Sequence, residues 1–201
     1  MSGKGPYLVL GLGNPGTAYK RTRHNSGVMV VEELASRFRL RLRRKWRISS
    51  RYCRHSYRGS DVICVKPRVY MNHSGVAALA SVHTFGVAVE RLLVVVDDVN
   101  LPLGTLRFKR KGSDGGHNGL SSVIEALGTE DFTRCRIGIG GGHEDELADY
   151  VLDEFSEDEE IVLREVISAA ADGVLDFIEN GIDSAMDRYN SFAIDPTKDD
   201  Q

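Results

Sequence analysis

The sequence of 201 residues has no apolar run approaching the roughly 20 residues that a helix needs to cross a bilayer, so no membrane partner is expected. The stretch before Tyr7 carries no apolar signal block and is too short for a transit peptide, which leads to the expectation of a cytoplasmic protein. Cysteine is scarce. Cys53, Cys64 and Cys135 are odd in number and widely spaced, which argues against a disulfide framework and against a zinc ribbon. They read as reduced packing residues, two of them in apolar, strand-like runs. No Gly-x-Ser-x-Gly elbow is present, and the cysteines lie outside the polar loops, so a covalent nucleophile is not expected. His24, Asp97 and His117 are residues of ligating type, but no His-x-x-x-His or Cys-x-x-Cys spacing groups them. Neither a metal nor any other cofactor is expected. There is no internal repeat and no low-complexity segment.

What is present is enough chain for one domain with a real core, of ordinary globular composition. The net charge of -3 conceals an uneven distribution. Residues 1–60 carry 14 Lys/Arg against 2 Asp/Glu, residues 61–142 carry 9 against 8, and residues 143–201 carry 3 against 19. Two readings stand side by side. The basic end meets a polyanionic ligand, or the two ends pack together and cancel. Within the basic end, Arg37 to Arg47 holds seven cations and the only tryptophan, Trp46. A solvated loop is the favoured reading of this run, with phosphate contact as the alternative.

Tyr7 to Leu10 reads as a buried strand that opens into Gly11-Leu-Gly-Asn14-Pro-Gly16. Gly11, Gly13 and Gly16 spell Gly-x-Gly-x-x-Gly, the dinucleotide fingerprint, but that motif needs a helix starting on the glycines. Here Pro15-Gly16 is a turn and helical spacing begins only near Val28, so a nucleotide cofactor is rejected. The glycines instead read as room for an asparagine amide and a histidine ring to approach a ligand at a strand's carboxyl end.

Further along, the pattern predicts a helix over 27–38 and a hairpin-like pair over 48–57 and 61–65, ended by Lys66-Pro67. A helix over 75–85 follows, with Asn72 or Ser74 as its N-cap. Leu92 to Val96 reads as the clearest central strand, ending in Asp97-Asp98, and 105–111 as an edge strand. A second glycine-rich loop, Gly112 to Gly119, leads into a helix to about 127, and a strand runs over 134–139. Helical spacing occupies 147–155, 161–178 and 182–189. The expected architecture is a single α/β domain over 1–193, a mixed twisted sheet between helix layers, with a frayed tail over 194–201.

Several of these segments end in polar loops that converge on one rim: Asn14 to His24, Asn72, Asp97, and His117-Asn118. Imidazole, with an unperturbed pKa of about 6.5, accepts a proton from water at neutral pH. A carboxylate on its other nitrogen fixes the tautomer and stabilises the imidazolium. Asparagine amides supply neutral donors to an oxyanion. Such a set suits an activated ester whose substrate also carries phosphate. Each residue also has a plainer reading. A histidine in a polar loop is often only hydrogen-bonded, Asp97 can cap the turn before Pro102, and Asn118 can cap its helix.

Five segments in order carry a resemblance: Gly11 to Gly27, Lys66 to Gly75, Asp97 to Gly104, Gly115 to Leu120, and Arg136 to Gly140. Over almost its whole length the chain resembles the bacterial-type peptidyl-tRNA hydrolases. The resemblance implies a single mixed-sheet α/β domain that cleaves the ester between a peptide and the 3′-terminal ribose of tRNA, recycling tRNA from stalled translation without a cofactor. It implies His24 as the base, Asp97 as its orienting partner, and Asn14 holding ligand or water beside them. Asn72, His117 and Asn118 are implied to bind the peptide and 3′-nucleotide end, with Tyr19, Tyr70 and Met71 shaping the cleft. Arg107, Lys109 and Arg136 match positions associated with acceptor-stem phosphates, and the protein is expected to be a monomer. Two departures are visible. Asn100 stands where the family often has Asp, with the expectation of a weakened local hydrogen bond, and the stretch after Gly140 lacks a Pro-containing loop. The rival reading is an RNA-binding splicing-factor relative of the same fold with little or no hydrolase activity.

Overall fold

The computed structural model describes residues 5–141 and 147–194. Seven strands form one mixed sheet: β1 (Tyr7–Gly11), β2 (Arg43–Lys45), β3 (Ser50–Tyr57), β4 (Ser60–Pro67), β5 (Leu92–Asp98), β6 (Leu106–Lys109) and β7 (Thr133–Gly138), in the order β2-β3-β4-β1-β5-β7-β6. The central strands β4, β1, β5 and β7 run parallel. They are apolar on both faces because helices cover both. Residues on alternate sides of β1, β4 and β5 divide between two cores. One contains Val9, Cys64, Val95 and Val166, the other Leu10, Val65, Val94 and Leu120. The first lies under α1 (Ser26–Arg37), α5 (Glu157–Asn180) and α6 (Ile182–Tyr189), the second under α2 (Ser74–Phe85) and α3 (Asn118–Leu127). A short α4 (Leu147–Leu152) precedes α5. The three cysteines are free and buried. Among the described residues no helix is long and apolar enough to cross a membrane.

Several expectations need revision. Part of the basic run 37–47 is not loop but β2, a three-residue polar strand antiparallel to β3. It carries no apolar alternation by which to find it. Pro67 belongs to β4 rather than ending it early. The edge strand is shorter than 105–111, covering Leu106–Lys109. Neither Asn72 nor Ser74 caps α2, whose N-cap is His73 without a side-chain bond. Asn118 does not cap α3 either; His117 does. The long helix begins at Glu157, a turn before its apolar spacing. Ser156 and Glu159 form a capping box there, and four acidic residues sit at the positive end of the helix. Of the tail expected over 194–201, Ile194 donates to the Gly104 carbonyl (3.0 Å), and the rest lies outside the described residues, as does most of the stretch after Gly140.

Gly11, at the head of the first loop, and Gly27, in the first turn of α1, serve packing. A Cβ on Gly11 would lie 2.1 Å from the carbonyl oxygen of Gly27, and one on Gly27 would lie 2.2 Å from that of Val95. Only glycine at both positions lets the first turn of α1 rest directly on β1 and β5. That contact sets the preceding residues, Arg23 to Asn25, over the carboxyl ends of the two strands.

The two oppositely charged ends do pack together in part. Arg23 pairs with Glu159 (2.8 Å), Arg37 with Asp172 (2.6 Å), and Arg21 with Glu160, so basic residues around α1 are neutralised by the acidic α5. The arginines along β2 have no such partner among the described residues.

Candidate active site

Asn14 is held by Asn25 through both of its backbone polar groups. Its N–H donates to Asn25 Oδ1 (2.7 Å), and its carbonyl accepts from Asn25 Nδ2 (3.0 Å). Its own Oδ1 accepts from the Met71 N–H (2.8 Å). With the oxygen occupied, the orientation of the amide is fixed, and Nδ2 remains as a donor without a partner among the described residues.

His24 sits in a tight turn, Arg23–Asn25, just before α1. Its Nδ1 lies 2.9 Å from Asp97 Oδ2 and 3.1 Å from Oδ1. Asp97, almost at the end of β5, is buried. On its other side His117 Nε2 lies 3.2 Å from Asp97 Oδ1. His117 Nδ1 accepts from the N–H groups of Gly119 (3.1 Å) and Leu120 (3.2 Å), the orphan donors of α3. The tautomers follow from these bonds. An ionised carboxylate only accepts, so His24 carries its proton on Nδ1 and leaves Nε2 as a free base. His117, with Nδ1 occupied as an acceptor, carries its proton on Nε2 and donates it to Asp97. Burial by itself would raise the Asp97 pKa. The imidazoles of His117 and then His24 outweigh it and hold the carboxyl well below the usual range.

His24, Asp97 and His117 therefore form a cluster whose ligating atoms all lie within 4.8 Å of one another, although nothing in their spacing groups them. The two imidazole protons point into that cluster. A metal ligated by His117 Nε2 would have to displace that proton and make the ring an imidazolate, because Nδ1 is already an acceptor. The donor set fits a proton-transfer centre better than a metal site.

A cleft of about 340 Å³ opens over this centre, lined among others by His24, Asp97, His117, Asn118, Arg136 and Val151. Asn118 is exposed at its edge. Met71 is buried, with its sulfur against Gly119, where a Cβ would come within 2.4 Å of it. Contrary to expectation, Tyr19, Tyr70, Met71 and Asn72 do not line this cleft, and Asn14 stands beside it rather than in its wall. Tyr70 and Asn72 are exposed on the turn that follows β4, joined to the centre through the bond from Met71 to Asn14.

Arg107, Lys109 and Arg136 share a neighbouring hollow of about 360 Å³. Arg107 and Lys109 are exposed. Arg136 is engaged within the protein: Nη1 bonds Asp98 Oδ2 (3.0 Å), and Nη2 bonds the Ser113 carbonyl (2.9 Å). Arg134 grips the same loop, through the carbonyls of Gly112 and Ser113. Burial, reinforced by Arg136, pushes its guanidinium pKa down to about 10, with Glu130 partly offsetting, so it stays charged near neutrality. Together the two arginines tie the loop carrying His117 to β7 and β5. Sequence reasoning missed this pair as loop anchors, along with Asn25; the Arg-x-Arg alternation of β7 was the available signal. Asn100 does not weaken its surroundings as expected. Its N–H (3.0 Å) and side-chain amide (3.3 Å) both donate to Asp98 Oδ1, where an Asp side chain would set a second carboxylate.

The same architecture and sequence recur in known proteins. A family model described as peptidyl-tRNA hydrolase matches residues 8–197. A peptidyl-tRNA hydrolase of Caldanaerobacter subterraneus subsp. tengcongensis is 42% identical over 184 residues, covering 92% of this chain and 99% of its own. One from Chlorobaculum parvum is 44% identical over 186 residues, covering 91% and 97%. The crystal structure of peptidyl-tRNA hydrolase from Acinetobacter baumannii superposes with a TM-score of 0.89 at 31% identity, over 94% of this chain and 96% of that one. A complex of peptidyl-tRNA hydrolase with N-propanol gives 0.90 at 31% identity, over 94% and 97%. With sequence and fold both matched from end to end, the chain belongs to the peptidyl-tRNA hydrolase family.

Proposed function

We propose that the protein hydrolyses the ester joining a peptide, or an N-acyl-aminoacyl group, to the 3′-terminal ribose of tRNA, with water activated by His24. The observation that carries this reading is the pair of imidazoles on Asp97, His24 through Nδ1 at 2.9 Å and His117 through Nε2 at 3.2 Å, which leaves His24 Nε2 as a free base at the cleft. Water gives a proton to Nε2 while its oxygen attacks the ester carbonyl. Asp97, ionised, stabilises the imidazolium. The tetrahedral oxyanion is met by neutral amide donors, Asn14 Nδ2 first and Asn118 at the cleft edge. Collapse of the intermediate breaks the bond to the ribose oxygen, which takes the proton back from His24. The products are a peptide carboxylate and tRNA with a free 3′-hydroxyl. No step of this scheme calls on a metal, since an ester activated by its ribose needs no Lewis acid.

Tyr19, Tyr70, Met71 and Asn72 are assigned to the peptide and terminal nucleotide, His117 to holding Asp97 and the cleft wall. Arg107, Lys109 and Arg136 are assigned to the phosphates of the acceptor stem. The first two are exposed, and the third adds its charge from a position fixed by Asp98. The protein works as a cytoplasmic monomer in this reading. Incubation with N-acetyl-aminoacyl-tRNA tests it: release of the N-acetyl amino acid is expected, while tRNA binding without turnover would instead assign the protein to the RNA-binding relatives of the fold.

A further inference from the structure

The acidic α5 leaves one group of arginines untouched. Arg41, Arg43, Arg44, Arg47, Arg51 and Arg68 are exposed on β2 and the residues flanking it, at the start of β3 and in the turn after β4. Among the described residues none of them has a carboxylate within 4.0 Å. The strand register aggravates the crowding. Arg44 stands opposite Arg51, and Arg51 opposite Lys66, a row of cations across three strands about 4.8 Å apart. Only Lys66 is compensated, by Glu32 at 2.6 Å. Like charges directly opposite each other destabilise a sheet. Partial desolvation, then the neighbouring Arg68 and Arg51, lowers the pKa of the Arg44 guanidinium. Beside this row stands Trp46, 73% exposed, with the Arg44 guanidinium 3.0 Å from its ring centroid. Protecting a short edge strand against aggregation takes a charge or two on that strand. It calls for neither arginines on β3 and after β4 nor a tryptophan in water.

We propose that this edge is a second tRNA-binding surface, in which Arg44, Arg51 and Arg68 contact backbone phosphates and Trp46 stacks on a base. Exposed cations interleaved with an aromatic ring are the recognised means of holding a nucleic-acid backbone without reading its sequence. The surface rests on the functional reading above, because its occupant is the body of the same tRNA whose 3′ end enters the cleft. Its position suits that role. Lys45 is level with Ser50, and Ser50 with Pro67, so Trp46 lies at the end of the sheet that also carries Asn14. Four strand spacings, roughly 20 Å, separate β2 from β5 and Asp97. The hollow of Arg107 and Lys109 lies on the other side of β5. The catalytic cleft is thus straddled by two groups of cations, and a polyanion lying across the rim meets both.

Because Trp46 is the only tryptophan, its emission reports on this surface directly. Titration with deacylated tRNA is expected to quench it, saturating at one tRNA per protein. In the variant combining Arg44→Gln and Arg51→Gln, KM for N-acetyl-aminoacyl-tRNA is expected to rise five- to tenfold with kcat within twofold. The log–log salt slope of binding should fall by about 2, close to one unit per phosphate released. A short N-acyl-aminoacyl-nucleoside, too small to reach β2, should be hydrolysed as before. The corresponding Arg→Lys double variant should recover most of the affinity, and Trp46→Phe should retain more of it than Trp46→Ala. Unchanged emission together with unmoved KM and salt slope overturns the proposal. So does a stoichiometry of two tRNAs, or quenching by poly-glutamate equal to that by tRNA, which would make the edge a surface for acidic protein. If the protein turns over no ester at all, the functional reading fails, while the emission titration and salt slope still decide whether this edge binds tRNA.

Discussion

His117 donates its Nε2 proton to Asp97 across 3.2 Å while its Nδ1 is occupied by the first N–H groups of α3. The helix therefore dictates which face of the ring meets the carboxylate, and the carboxylate in turn dictates the tautomer of His24. Reversing either ring would set two lone pairs, or two protons, against each other. His117→Ala removes one of the two donors on Asp97 and the cap of α3. A loss of kcat on the order of tenfold is expected, together with reduced stability, whereas His117→Asn, which can cap the helix, should restore stability more than rate. If both variants lose rate only in proportion to stability, His117 acts as a cap and nothing more.

His24 has the larger role. His24→Ala should lower kcat by about 10² to 10⁴, the range of a general base, with tRNA affinity almost unchanged. A loss below about fivefold, measured with saturating N-acetyl-aminoacyl-tRNA, would assign the base elsewhere.

Asp97 gives a pH signature. Its folded pKa is depressed, so its ionised form contributes stability above the carboxyl's unfolded value, near 4, and that contribution is lost as pH falls toward the folded value. The difference in urea unfolding free energy between wild type and Asp97→Asn should shrink as pH is lowered from 5 to 3. A difference independent of pH over that range would mean that Asp97 is not held ionised by its partners.

The cluster of His24, Asp97 and His117 has the look of a ligand set, but its protons point inward. Treatment with EDTA should leave the rate unchanged, and added zinc should inhibit if it acts at all. An enzyme inactivated by chelation and restored by zinc would overturn the mechanism.

Much of this was legible in the sequence, and the residues that were not share a physical cause. β5 announced itself by an unbroken apolar run ending in two aspartates, and the two glycine-rich loops marked the rim. What failed was whatever depends on contact across the sheet. Gly11 looks like part of a ligand loop until α1 is laid on β1, and only then is it clear that a Cβ on it would strike the Gly27 carbonyl. His117 looked like a substrate contact, because its bonds to Asp97 and to the start of α3 join β5 to α3. β2 has no periodicity, since its three polar residues are strand only by pairing with β3.

Arg107, Lys109 and Arg136 were grouped by sequence, and they do line one hollow, but they differ in what else they hold. Arg107 and Lys109 are exposed, so Lys109→Ala should raise KM for full tRNA severalfold, flatten its salt dependence by about one phosphate, and leave kcat intact. Arg136 is different, because Asp98 and the loop carbonyls claim its guanidinium. Arg136→Ala would leave the buried Asp98 carboxylate without its cation and free the loop that positions His117, so kcat should fall along with affinity. The two effects separate on a short N-acyl-aminoacyl-nucleoside lacking those phosphates. Lys109→Ala should be silent there, and Arg136→Ala should still lose rate. If both variants are silent on the short substrate, Arg136 acts as a phosphate contact alone, and the anchoring of the His117 loop does not depend on it.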